Sequence, residues 1–261
     1  MAQERARRHA GALILREDDL DSARCRAEFS SAMFEDLRWF GLTWSEGPDV
    51  GGPHAPYRQS ARLPLYRAAF ERLRASGDIY PCTCSRQDVL RALAAPHPGE
   101  EEPVYPGTCR LRERAPARTA ATDVNWRFRV AERERVEFID GLCGTQQAEA
   151  DRDFGDFVVW RKDGFPSYQL ACTVDDAAME ITEVVRGADL IASTFRQLLL
   201  FRALGGEPPA FFHCPLVTDA TGARLAKRDD ATSLRTLRAQ GQTPEDIRAA
   251  WSDEAILNGV I

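Results

Sequence analysis

The sequence predicts an α/β fold, a parallel-sheet domain carrying an insertion. Three observations point there. Short apolar runs alternate with amphipathic stretches at both ends of the chain, the middle is richer in strand patterns, and Cys82, Cys84 and Cys109 bracket a loop within that middle. Strands alternating with helices build parallel sheets covered by helices, and a block of different texture inside them reads as an insertion. The expected organisation is a first part of the core over residues 1–80, a cysteine-bearing insertion and β-rich connective region over 81–150, a second part of the core over 151–229 and a helical tail over 230–261.

The elements follow in order. Ala12–Arg16 is a short apolar run that reads as a buried strand, its end crowded with Glu17, Asp18, Asp19 and Asp21. Ligands of open α/β sheets bind at the carboxyl ends of strands. A helix capped by Asp21 is expected next, with Phe29, Met33, Phe34, Leu37 and Phe40 on one face and Gly41 ending it. A Gly/Pro-rich loop spans Gly47–Pro56, and a second amphipathic helix carries Leu63, Tyr66, Phe70 and Leu73 to a stop near Gly77. Trp126–Val130 and Val136–Ile139 alternate as strands do. Phe157–Trp160, a Lys162–Gly164 turn and Phe165–Tyr168 read as a hairpin. A helix over Gln169–Ala178, a strand over Ile181–Val185, a helix over Thr194–Leu204 and a strand over Phe211–Val217 follow. A turn at Asp219–Gly222 leads into Arg224–Arg228, and Thr243-Pro244 is a helix start with Pro at the first helical position.

Composition narrows the class. Of 261 residues, 44% are hydrophobic and 28% charged, an ordinary globular balance. The formal net charge of -6 does not advertise a nucleic-acid surface, although 34 Lys and Arg would suffice to make one if gathered on one face. No apolar run approaches a membrane span, and no apolar stretch follows the charges of Met1–Arg8 as in a secretory signal. Seven cysteines in such a chain read as thiols or metal ligands of a cytoplasmic protein. Zinc takes four ligands, and three thiolates leave one place open. His97, Glu100, Glu101, Glu102 and Tyr105 are all near enough in sequence to fill it, His97 being the usual donor type. Cys25, Cys143, Cys172 and Cys214 stand alone and read as small core residues.

At this point the motifs resemble a known family. Cys82-x-Cys84 followed by Tyr105-x-x-x-Cys109 resembles the zinc site of the glutamyl-queuosine tRNA(Asp) synthetases, short relatives of the glutamyl-tRNA synthetase catalytic domain. Leu15–Asp21 resembles that family's acidic strand end, Tyr168–Ala171 with Val174–Asp176 its substrate-binding Tyr and following helix, and Glu183–Leu190 is close to a literal family segment. Arg224, Leu225, Ala226, Lys227 and Arg228 resemble the Lys-Met-Ser-Lys-Ser type loop of class I synthetases.

The resemblance implies a Rossmann-like class I core, one structural zinc held by Cys82, Cys84, Tyr105 and Cys109, and ATP used with Mg2+. It implies an L-glutamate substrate whose side-chain carboxylate is gripped by Arg186 and Tyr168, and whose ammonium meets Asp18, or Glu17 on the opposite face of the strand. Lys227 would offset charge on the phosphates. The family's partner is a tRNA(Asp) carrying queuosine, and a monomer without membrane attachment is expected. Without the family, Arg186 would read as a structural ion pair, Tyr168 as a half-buried aromatic and Lys227 as a solvated surface lysine. One departure stands out. The family's His-x-Gly-His signature does not occur, since His9, His54, His97 and His213 precede Ala10, Ala55, Pro98 and Cys214. Residues 1–11 are expected to be the tail of the helix that follows that signature, and the native enzyme to be longer. Residues 230–261 are too few for an anticodon-binding domain, because domains rarely fall below about 50 residues. The activity implied is ATP-dependent activation of glutamate and its transfer to queuosine, with a catalytically silent tRNA-binding or regulatory domain as the alternative.

Overall fold

A computed structural model of the chain describes residues 1–21, 25–85, 87–89, 104–110, 123–216 and 233–249. They fall into two compact units. The first comprises residues 1–61, 185–189 and 213–261, and the second residues 62–184 and 190–212.

The second unit is built around helix α3 (Leu63–Ser76). Tyr66, Ala69, Phe70 and Leu73 recur at helical spacing and are buried, while Pro64 occupies the first turn, where no amide is missed. Gly77 ends the helix with φ +82, a left-handed conformation that glycine enters without a Cβ clash. Its apolar face packs on a three-stranded antiparallel sheet of β1 (Ile79–Cys82), β2 (Asn125–Phe128) and β5 (Phe157–Trp160), in the order β1-β2-β5. Phe70 lies 5.3 Å from Trp126, edge to face, and 4.9 Å from Trp160. Strand β1 (Ile-Tyr-Pro-Cys) contains Pro81, which an edge position tolerates because no ladder amide is needed there.

The β1/β2 register pairs Tyr80 with Arg127 and Pro81 with Trp126. Side chains alternate between sheet faces. Ile79, Pro81, Trp126 and Phe128 therefore share one face, and Tyr80, Cys82 and Arg127 the other. The expected hairpin after β5 is shorter than its pattern suggested. Trp160 bridges Pro166 and Ser167 N bonds Val159 O at 2.8 Å, after which the chain turns into a helix.

That helix is α4 (Tyr168–Ala178), begun by Ser167, whose side chain accepts from Leu170 N. Strands β3 (Arg135–Asp140) and β4 (Gly144–Glu149) form an antiparallel hairpin, and β3 pairs in parallel with β7 (Ala210–Cys214) at Asp140 and Phe211. With β6 (Glu183–Gly187) the order is β4-β3-β7-β6. Phe138 packs on Phe195 of helix α5 (Ile191–Ala203) and on Phe211. The predicted parallel sheet is thus a mixed one among the described residues. The sequence Gly-Thr-Gln-Gln-Ala-Glu of β4 carries no apolar alternation, so its pairing with β3 was invisible to hydrophobic pattern.

The first unit holds α1 (Ala2–Arg8), α2 (Ala27–Trp39) and α6 (Leu234–Ala239). The expected strand over Ala12–Arg16 is an extended segment with only isolated parallel bridges, Ile14 to Glu46 and Glu17 to Arg58. Its pairing partners come from two separate stretches on either side of the Gly47–Pro56 loop, so no continuous ladder forms. Helix α2 is not capped by Asp21; its N-cap is Arg26, and Phe29 points to solvent. The tail folds back on α2, with Arg235 within 3.6 Å of Asp36 and Arg238 stacked over Trp39. Residues 244–249 are helical from Pro244 onward, and Thr243 and Asp246 bond each other's backbone and side chain in a capping arrangement. Among the described residues no helix is long and apolar enough to cross a membrane.

Candidate functional site

Three of the predicted metal ligands and the predicted tyrosine converge in the second unit. The Sγ atoms of Cys82, Cys84 and Cys109 all lie within 4.8 Å of one another. Cys84 and Cys109 are 3.5 Å apart, and the Tyr105 hydroxyl is 3.4 Å from both Cys82 Sγ and Cys84 Sγ. Thiolates bound at about 2.3 Å in a tetrahedron sit ~3.8 Å from one another, so these spacings suit a four-coordinate ion. Cys82 ends strand β1, and Cys109 and Tyr105 come from the segment over residues 104–110, where Cys109 N donates to the Tyr105 hydroxyl at 2.9 Å. The other sequence candidates, His97, Glu100, Glu101 and Glu102, lie outside the described residues.

Burial and hydrogen bonding pull the groups of the cluster in opposite directions. Burial pushes the Cys109 thiol up, but hydrogen bonds from Tyr105, the Thr83 backbone, Cys84 and the Thr83 hydroxyl outweigh it and bring it down to about 6. Burial raises Cys84, and burial together with the three thiols raises the Tyr105 phenol. A residue that sequence reading did not single out closes the cluster. Arg127 Nε donates to Cys82 Sγ at 3.3 Å, and its guanidinium carbon lies 3.8 Å from the centroid of the Tyr105 ring. The only signal for it was its place on the strand: β1/β2 register brings positions 80, 82 and 127 to one face. The lone cysteines divide differently from expectation. Cys172 is buried and Cys214 partly so, but Cys25 and Cys143 are exposed rather than core residues, since each sits at a loop or turn.

Tyr168 is the first residue of α4, and its side chain is exposed. The helix beneath it is anchored by a buried ion pair. Arg62 Nε donates to Asp175 Oδ1 at 2.6 Å and the Tyr66 hydroxyl donates to the same carboxylate at 2.8 Å, with the side chains of Arg62 and Asp175 3% and 0% exposed. The Val174-Asp175-Asp176 segment thus includes the group that ties α4 to α3.

The acidic strand end lies in the first unit, where its carboxylates do different work. Asp18 accepts from Arg16 Nε at 2.8 Å. Glu17 bonds the Ser30 hydroxyl and pairs with Arg58 at 2.8 Å, while its backbone bridges Tyr57 and Gln59. Asp19 caps the turn at Ser60, accepting from its amide at 2.7 Å and its hydroxyl at 2.6 Å. Arg186 also belongs to this unit. Its Nε donates to Nε2 of His213, which is fully buried and must therefore carry its proton on Nδ1. At Gly187 a Cβ would collide with the Asp189 carboxylate and press on Leu216 at 3.2 Å, so the glycine lets Asp189 lie against the backbone beside Arg186. Arg224, Leu225, Ala226, Lys227 and Arg228 lie outside the described residues.

Known proteins share this sequence and fold. Residues 1–252 match the family of class I tRNA synthetases (E and Q), catalytic domain. A glutamyl-Q tRNA(Asp) synthetase of Symbiobacterium thermophilum is 49% identical over 246 residues, covering 93% of this chain and 76% of the relative. One from Nitratidesulfovibrio vulgaris is 45% identical over 243 residues, covering 90% and 74%. Among solved structures, a glutamate-tRNA synthetase from Elizabethkingia anophelis superposes with a TM-score of 0.74 at 28% identity, over 87% of this chain and 48% of that one. A match over nearly the whole length, with the same mixed α/β architecture, leaves one assignment: the chain belongs to the catalytic-domain family of the class I glutamyl- and glutaminyl-tRNA synthetases.

Proposed function

We propose that this protein is a ligase that activates L-glutamate with ATP and transfers it to queuosine of tRNA(Asp). The observation that carries the reading is the 49% and 45% identity to two proteins named glutamyl-Q tRNA(Asp) synthetase, each aligned over at least 90% of this chain. Against glutamate–tRNA ligases such as one from Halorhodospira halophila the identity is 42%, and the chain spans 50% of that protein.

Activation joins the substrate carboxylate to the α-phosphate of ATP, and negative charge grows on the phosphoryl oxygens. Lys227 in the Arg224–Arg228 loop supplies a cation there, and Mg2+ accompanies the ATP. Arg186, whose Nε donates to His213, grips the side-chain carboxylate of glutamate with its guanidinium. Tyr168, exposed at the start of α4, donates its hydroxyl to the same substrate. Asp18, which also accepts from Arg16, is the partner for the substrate ammonium, with Glu17, held by Ser30 and Arg58, as the alternative. Cys82, Cys84, Cys109 and Tyr105 hold one structural zinc, which pins the end of β1 to the residue 104–110 segment. When bound, the ion supplies folding energy and no chemistry of its own.

Glutamate-dependent exchange of labelled pyrophosphate into ATP tests the first step. Acylation of tRNA(Asp) with and without queuosine, and of tRNA(Glu), tests the second. The expected result is exchange with glutamate and acylation of the queuosine-bearing tRNA(Asp) alone. Exchange accompanied by charging of tRNA(Glu) would reject the queuosine assignment, and absence of exchange would reject the ligase reading of this chain.

A further inference from the structure

We propose that Arg127 is a positioning residue of the cysteine site, a buried cation that balances the charge of the loaded metal centre and sets its affinity. The proposal rests on the reading of Cys82, Cys84, Cys109 and Tyr105 as zinc ligands, and it concerns a residue that lies outside that ligand set.

The argument starts from charge. Three thiolates around a dication leave an excess of negative charge, and a phenolate from Tyr105 adds to it. Cys82, Cys109 and Tyr105 are 1%, 4% and 6% exposed, so water does little to solvate that excess. A buried net charge is costly unless an opposite charge and hydrogen bonds meet it. Arg127 is the side chain placed to do so. It is buried, its Nε–H points at Cys82 Sγ at 3.3 Å, and its guanidinium carbon lies over the Tyr105 ring, 3.8 Å from the centroid. A third contact, Nη1 to Asp156 O at 3.0 Å, fixes the fork in that orientation.

The fold delivers this geometry on purpose-built backbone. Positions 80, 82 and 127 share one face of the β1/β2 ladder, and the β2/β5 register shifts between Trp126 and Arg127. Neighbouring cations have other partners: Arg129 stacks over Tyr80 at 4.8 Å, and Arg110 pairs with Asp156 at 3.3 Å. Among the described residues Arg127 is thus the guanidinium that touches both a thiol and the ring of the cluster's tyrosine. Its Nε–H also withdraws electron density from the Cys82 sulfur, which tunes the donor strength of one ligand.

The test compares wild type, Arg127→Gln and Arg127→Lys, each purified whole and stripped of metal. Zinc affinity is measured by competition with a chromophoric chelator, and the thiolate-to-metal charge-transfer band is recorded with Co2+ as the probe. Loss of such a supporting contact typically weakens metal binding about 10- to 100-fold, and that is expected for Arg127→Gln. Arg127→Lys, which keeps the charge but not the planar fork, is expected to lose less. In both variants the band should move to longer wavelength, because a thiolate without its N–H partner gives up electron density more readily. Should Arg127→Gln fail to fold, the Lys variant carries the test through its band position and affinity. Unchanged affinity and spectrum in the variants would overturn the proposal, and so would equal losses in the Gln and Lys variants, since charge would then not be the cause. Wild type that binds neither Zn2+ nor Co2+ would instead reject the zinc reading on which it rests.

Discussion

Replacing Asp175 by alanine tests how the helix that presents Tyr168 is held. In the folded protein the Asp175 carboxylate is fully buried between Arg62 Nε at 2.6 Å and the Tyr66 hydroxyl at 2.8 Å, and the Arg62 side chain is itself 3% exposed. The pair as a whole is a modest stabiliser, because desolvating two ions offsets most of their attraction. Breaking it is a different matter. Asp175→Ala leaves the Arg62 guanidinium buried without this carboxylate, which costs about 3–5 kcal/mol. Domains hold only ~5–15 kcal/mol in total, so the loss is a large fraction. At about 2–4 °C per kcal/mol for a chain of this size, the midpoint of thermal unfolding should fall by roughly 6–20 °C. Differential scanning calorimetry and urea titration of the protein would measure it. Tyr66→Phe, which removes one charge-assisted hydrogen bond and spares the ion pair, should cost less, about 1.5–3 kcal/mol. A loss below ~1 kcal/mol for Asp175→Ala would refute the reasoning, as would a larger loss for Tyr66→Phe than for Asp175→Ala.

Three further outcomes are expected. Arg186→Ala should lower kcat/KM for glutamate about 10- to 150-fold, the worth of a charge-assisted bond to a carboxylate, while the KM for ATP stays put; steady-state pyrophosphate exchange reads both. Alkylation followed by peptide mass spectrometry should label the exposed Cys25 and Cys143 first, and label Cys82, Cys84 and Cys109 only after a chelator is added; labelling of the cluster without chelator would argue against a bound ion. Hydrogen bonds from Tyr57 and His54 hold the Glu46 carboxyl below its ordinary 4.5. Its contribution to stability is therefore complete above the unfolded value, near pH 4.5, and is lost as pH falls through the folded one. Glu46→Gln should be less stable than wild type at neutral pH, with the gap closing in acid, as denaturant titrations at several pH values would show.

Much of the secondary structure was legible because local rules decide it. The spacing of Tyr66, Phe70 and Leu73, the glycine at 77, and the Thr243-Pro244 start each specify a helix or its ends through neighbours a few residues away. Strand β4 was not legible, since six residues of mostly polar side chain become a strand only through pairing with β3. The same holds for the short return after β5 and for the broken pairing of residues 13–17, where distant segments supply the hydrogen bonds.

The candidate site divides along the same line. Sequence alone named the candidate residue types: three thiols and a tyrosine at a spacing that resembles a known zinc site, an arginine after an apolar strand, a basic loop after a glycine turn. Tertiary structure decided what surrounds them. It brought Cys82, Cys84, Tyr105 and Cys109 within bonding distance, set Arg127 against them across a β ladder, and put the buried His213 on Arg186. It also sorted Glu17, Asp18 and Asp19, adjacent and alike in sequence, to three different partners. The physical reason is that ligand identity is a property of a side chain, written in the chain one residue at a time. Distance, burial and charge balance are properties of pairs, and pairs far apart in sequence meet only when the backbone has folded.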